Sequence, residues 1–127
     1  MVEPGFVAAD YVELFFDLFQ HTSDAVSIIR VEDSVVLDVN ESFLSLYGLS
    51  RERAIGRPVL ELGLWVSPHQ RASMLSELMG SGRVIDFRAR MRSAWSEEFT
   101  VSASEILTHW RGENVILGIA RVVPSAR

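Results

Sequence analysis

Three histidines, His21, His69 and His109, stand singly along the chain, and no cysteine accompanies them. Zinc-type sites gather several nitrogen or sulfur ligands at short, regular spacing. The scattered pattern instead suits surface or helix-end histidines, and no metal centre is expected. The missing cysteine also removes disulfides, thiolate ligands and a thiol nucleophile. Gly80-Ser81-Gly82 follows a helical stretch, whereas a phosphate-binding loop precedes one. No Gly-x-Ser-x-Gly elbow occurs. Asp and Glu are plentiful, yet spacing alone nominates no catalytic pair. The chain therefore reads as a non-enzyme.

Residues suited to binding are easier to find. Asn40 precedes a helical stretch, where its side chain can cap an orphan N–H or border a cavity. Trp65 is either core or a ligand platform, and Phe43, Tyr47, Phe87 and Met91 share that ambiguity. Thr100, Ser102 and Ser104 share one strand face and would offer hydroxyls to a pocket if they point inward. Arg88, Arg90 and Arg92 form a stripe that is either a solvated face, paired with Glu98 or Glu105, or a docking stripe for an acidic helix. Trp95 falls at an expected hairpin tip, where an exposed aromatic is a candidate contact.

The scaffold for these residues is small. At 127 residues, with 48% hydrophobic and 23% charged, the chain suits one globular domain. A net charge of −5, without a basic block, argues against direct nucleic-acid binding. No long uncharged apolar stretch occurs, so no transmembrane helix is expected. MVEPGFVAAD lacks a basic region followed by an apolar run, so no signal peptide is expected, and the cytoplasm is the simplest compartment.

Residues 1–9 and 124–127 read as tails. Residues 10–21 carry a flanking helix, from about Tyr11 to Gln20, with Asp10 and Glu13 as a capping box. Its stripe of Tyr11, Leu14, Phe15 and Leu18 is widened by Val12, Phe16 and Phe19, so it needs a partner on more than one side. Ala25–Val31 and Ser34–Val39 read as a hairpin around Glu32-Asp33. Short helices follow Asn40 and Ser50, ended by Gly48 and by Gly56-Arg57-Pro58. Val59–Val66 is an apolar loop or short strand. A longer helix begins at Ser67-Pro68, with Gln70 completing a capping box, and ends at Gly80; Leu75, Leu78 and Met79 form its stripe. Val84–Ser93, Glu98–Leu107 and Val115–Val123 read as a three-stranded meander. The class is α+β, with five strands in one antiparallel sheet and helices on one face.

That order, with its punctuation, resembles the PAS family. Val36-Leu37-Asp38-Val39-Asn40 resembles the second PAS strand and its closing Asn. Phe43-Leu44 through Tyr47-Gly48-Leu49-Ser50, then Ile55-Gly56-Arg57-Pro58, resemble the following short helix and turn. Leu62-Gly63-Leu64-Trp65 and Ser67-Pro68 into Arg71 resemble the approach to the long helix, and Gly118-Ile119-Ala120-Arg121 the last strand. The resemblance covers roughly Leu18 to Val123. Family members often continue with an Asp-hydrophobic-Thr turn into a signalling helix; Val122-Val123-Pro124 departs from it.

The resemblance implies a sensory module over residues 22–123, in a bacterial-type signalling protein. A small ligand would sit between sheet and short helices and be relayed to a partner domain. Asn40, Phe43, Tyr47, Leu62, Trp65, Phe87, Met91 and Ser102 are then the candidate cavity walls. Cysteinyl-flavin chemistry is excluded by the absence of cysteine, while non-covalent flavin or a metabolite stays open. The family's haem-ligating His corresponds to a position near Leu75, so haem is not expected. A second reading is a ligand-free module that docks or homodimerises, with Val12, Phe16 and Phe19 at or near the contact. A third, a small cone-shaped isomerase-like enzyme, would need a carboxylate in an apolar pocket, but such folds place their helices mostly before a long curved sheet.

Overall fold

The computed structural model describes residues 8–124, with side chains from Leu14 onward. Helix α1 (Ala8–His21) leads into β1 (Ala25–Arg30) and β2 (Val36–Val39). Three helices follow: α2 (Glu41–Tyr47), α3 (Arg51–Ala54) and, after a 3-10 turn at Val59–Leu62, α4 (Pro68–Ser81). The chain closes with β3 (Arg83–Arg92), β4 (Glu98–Trp110) and β5 (Glu113–Val122). The five strands form one antiparallel sheet in the order β2-β1-β5-β4-β3. The expected α+β class and strand count are thus found.

Local chemistry accounts for the boundaries. Asn40 caps α2 by accepting from the Phe43 N–H, and Gly48 ends it in the left-handed region. Ser50 caps α3 in the same way. Ser67 caps α4 ahead of Pro68, but the capping box is only half made. The Gln70 side chain instead accepts from the Arg90 N–H and ties the helix to β3. Helix α4 runs through Gly80 and stops at Gly82, so the expected stop lies two residues early. Helix α1 begins at Ala8, which places Asp10 inside the helix and not at its cap.

The meander is set by two departures from regular backbone. Arg111 and Gly112 both have positive φ, as a two-residue type I′ hairpin turn requires, and β4 and β5 extend to meet it. In β3 the register shifts between Val84 and Phe87, with Asp86 at φ 56°. That bulge lets Val84 and Phe87, three residues apart, both face inward. Both edges of the sheet are covered: Arg57 and Gly56 bond to Val36, and Leu64 and Val66 bond to Arg92 and Arg90.

The sheet has two unlike faces. On the inner face Ala25, Ala89, Met91, Val101 and Ala103 pack against Phe43, Leu44 and Tyr47 of α2. Met74 and Leu78 of α4 pack on Val84 and Ile116 of the same face. Met79, expected in that stripe, is half exposed. On the outer face Phe19 of α1 packs on Val26, Ile28 and Val115. Phe19 is only 5% exposed and belongs to this chain's own core, which corrects its expected place in a dimer contact. Phe16 is exposed, and the Val12 side chain lies outside the described residues.

Candidate functional site

A partly closed cavity lies between the inner face of the sheet and helices α2 and α4. Phe43 and Tyr47 close one side, Leu64 and Trp65 another, and Met74 and Leu75 the α4 side. Its floor is Ser27 of β1, Gly118 of β5 and Glu105 of β4, which stand in one row across the sheet. About 60 Å³ is open to the centre of a water-sized sphere. One water needs roughly 10–15 Å³ by that measure, so there is room for a handful of heavy atoms.

The walls are apolar except at a few points. Arg71 reaches in from the start of α4, is buried, and donates from Nη2 to Ser34 Oγ at 3.0 Å. Burial lowers its pKa from the ordinary value, while the Glu105 charge opposes that. Burial pushes the Glu105 carboxyl up to about 7, with Arg71 pulling the other way. Burial and the Glu105 charge together push the Tyr47 phenol above its ordinary value. Arg71 and Glu105 feel one another yet form no ion pair among the described residues. The carboxylate lies flat over Gly118, where a Cβ would meet its oxygen at 2.7 Å. This glycine is required by close approach and not by its backbone angles.

Asn40 sits beside the cavity and does not line it. Its side chain is wholly buried and makes four hydrogen bonds. It accepts from the N–H groups of Val26 and Phe43 at 3.0 and 2.9 Å. It donates to the carbonyls of Phe19 and Asp24 at 2.8 and 3.0 Å. One amide thereby joins the end of α1, the start of β1 and the first turn of α2.

A second, open groove lies on the outer face, between α1 and β3–β5. Phe15, Leu18, Ile85, Ile106 and Ile119 line it. Its lining is mostly apolar, although Thr22, Asp24, Arg83, Ser104 and Glu105 also border it; the interior cavity is the more closed of the two and is the better site.

The family model described as PAS fold matches residues 19–121. The chain belongs to the PAS-fold family. Among solved structures it is similar to the PAS domain of a protein from Colwellia psychrerythraea. That match has 23% identity, covers 90% of this chain and 98% of that one, and has a TM-score of 0.76. A domain of a sensory box sensor histidine kinase/response regulator from Geobacter sulfurreducens matches at 24% identity, covering 91% and 96%, with TM-score 0.72. A third is the PAS domain, in complex with ethanol, of a LuxR-family transcriptional regulator from Burkholderia thailandensis. It matches at 16% identity, covering 86% and 96%, with TM-score 0.68. These likenesses show the fold. No curated protein matches the chain.

Within this PAS domain, the expected walls Phe43, Tyr47, Trp65 and Met91 come together around the cavity. Leu62 and Phe87 pack behind them in the core without lining it. Ser102 lies on the opposite face, where its hydroxyl bonds to the Asp86 carboxylate; the parity of β4 sends Val101, Ala103 and Glu105 inward instead. Arg88 and Ser102 hold the Asp86 carboxyl below the usual range. The arginine stripe is a paired outer face, Arg88 with Asp86 and Arg90 and Arg92 with Glu98. Glu105 is not one of its partners. Trp95 is 69% exposed and lies with its ring edge over Gly48. Among the described residues no cluster of three potential metal ligands occurs, and no helix is long and apolar enough to cross a membrane.

Arg71 and Glu105 are the site residues that sequence reasoning missed. The signal for Glu105 was present: it shares the parity of Val101 and Ala103, opposite the Thr100–Ser104 hydroxyls. A charge on an apolar parity marks either strain or a site.

Proposed function

We propose that this PAS domain is a sensory module that holds a small ligand in its interior cavity and passes its occupancy to a partner domain. The observation that carries this reading is the junction at Asn40. Phe43 and Tyr47 form one wall of the cavity and sit on the helix that Asn40 caps. The same amide binds the Phe19 carbonyl at the end of α1. A ligand that displaces α2 therefore strains a buried bond to α1, and α1 carries exposed Leu14, Phe16 and Leu18 with which to engage a partner. The kinase-derived relative and the ethanol complex support the reading by analogy of fold. Native mass spectrometry of freshly purified, untreated chain tests it. A retained small molecule is the expected result. A bare chain, together with no thermal shift from any small-metabolite panel, would refute it.

The second reading is a ligand-free docking or homodimerising module, and the same exposed α1 side chains favour it. It predicts a dimer by light scattering that Phe16→Ser dissociates. A monomer at high concentration would count against it.

A further inference from the structure

The cavity holds two opposite charges that do not neutralise each other. Arg71 comes from α4 and Glu105 from β4, and they are the only charged side chains among the residues that line it. Arg71 donates to Ser34 at one nitrogen, which leaves most of a five-donor fork unspent. Glu105 makes no hydrogen bond or ion pair among the described residues, although aliphatic and aromatic walls surround it. Unpaired charge in such surroundings is costly, and the cost is recovered when something satisfies both groups.

We infer that the cavity takes a small zwitterion of α-amino-acid size, its carboxylate on the Arg71 guanidinium and its ammonium on the Glu105 carboxylate. This rests on the reading of the cavity as a ligand site. A planar guanidinium matches a carboxylate in a forked pair. An ammonium has three donors, for which Glu105 supplies two oxygens and Ser27, in the same row of the floor, a hydroxyl. A lone anion would place its charge near Glu105, and a lone cation near Arg71; a molecule with both ends meets neither penalty. The size agrees, since a handful of heavy atoms fits. Gly118 completes the site, because any side chain there would push the carboxylate off the floor.

The inference fixes the sign of a pH effect. The titratable and charged groups facing Glu105 in the cavity are Arg71 from α4 and Tyr47 from α2, with Ser27 and Gly118 beside it on the sheet; Arg83 of β3 and Asp24 share with it the outer groove that it also borders. With the carboxyl at about 7 in the free chain, it is mostly ionised at pH 8 and mostly neutral at pH 6. An ammonium binds the ionised form, so affinity falls about tenfold between those two values. A monocarboxylate favours the neutral form and changes in the opposite sense, while a neutral alcohol is indifferent.

Isothermal titration of the full chain with glycine, L-alanine and L-serine, against propionate and ethanol, at pH 6 and pH 8, tests this. At least one amino acid is expected to bind, about tenfold more weakly at pH 6. Glu105→Gln is expected to remove that pH dependence and weaken binding at pH 8. Gly118→Ala, which moves the carboxylate without removing its charge, is expected to weaken binding while leaving the unfolding transition in place. Binding of propionate that tightens at pH 6, or of ethanol alone, overturns the zwitterion and leaves the ligand-site reading standing. No binding by any of the five overturns the zwitterion, and the retained-ligand measurement then decides the broader reading separately.

Discussion

Replacing Asn40 with Ala removes a buried junction whose value can be worked from its bonds. The amide is fully enclosed and makes four hydrogen bonds of 2.8–3.0 Å. At about 1 kcal/mol net for each, the loss is about 4 kcal/mol. The cap on Phe43 alone accounts for about 1 kcal/mol of that. The stability of a domain is about 5–15 kcal/mol, so Asn40→Ala should fold but marginally. Asn40→Asp divides the bonds. It keeps the acceptor for Val26 and Phe43, loses both donors, and sets a carboxylate against the carbonyls of Phe19 and Asp24. That carboxyl is pushed up in the folded state, so the folded chain holds the proton more tightly than the unfolded one. Stability then falls as pH rises through the folded value, and the variant recovers toward wild type on acidification. Urea unfolding, followed by tryptophan fluorescence at pH 5 and pH 8, reads both effects. A loss below about 1 kcal/mol for Asn40→Ala would refute the junction, since one ordinary bond is worth that much. So would an Asp variant insensitive to pH.

Four further outcomes follow from other contacts. Glu105 has its carboxyl raised to about 7, so the folded chain binds its proton more tightly than the unfolded one. Its contribution to stability is full below the ordinary carboxylate range and is lost as pH rises toward 7. Urea midpoints should fall over that window, and Glu105→Gln should flatten the slope. Gly118→Ala should leave stability within about 1 kcal/mol of wild type, because the clash is with the movable end of Glu105 and not with backbone. A large loss in the melting curve would contradict that. Phe19→Ala should cost about 3–5 kcal/mol by opening the outer core beside Val26, Ile28 and Val115. Phe16→Ser, at an exposed position, should leave the melting temperature unchanged and act only on association.

How much could be read in advance depended on whether a signal was local. Caps at Asn40, Ser50 and Ser67 and the left-handed glycine at Gly48 are local devices, and they placed α2, α3 and α4. The regular parity of Phe87, Ala89 and Met91 placed the inner face of β3, but the bulge at Asp86, which turns Val84 inward as well, left no mark in residue type. The cavity was half legible. Phe43, Tyr47, Trp65 and Met91 converge as expected, since large apolar residues on facing elements must meet. Ser102 was misplaced because hydroxyls suit either face, and only the pairing register fixes the parity of β4. Asn40 reads locally as a cap or a wall. Its bonds to Phe19 and Asp24 span 21 and 16 residues, which no local pattern reports. Arg71 resembles a surface charge until the helix packs on the sheet, whereas Glu105 is marked only by its apolar parity with Val101 and Ala103, which shows once the facing of β4 is fixed.

The interior cavity is proposed to take a ligand and to communicate with α1 through Asn40. Amide chemical shifts of 15N-labelled chain, titrated with the small amino acids named above, test it most directly. Shifts are expected at Ser27, Tyr47 and Arg71, which border the interior cavity and not the outer groove, continuing to Phe43 and Asn40 at the junction and on to α1. Shifts confined to Ser104 and Ile106 on the outer groove, or none with any of the ligands, would contradict it.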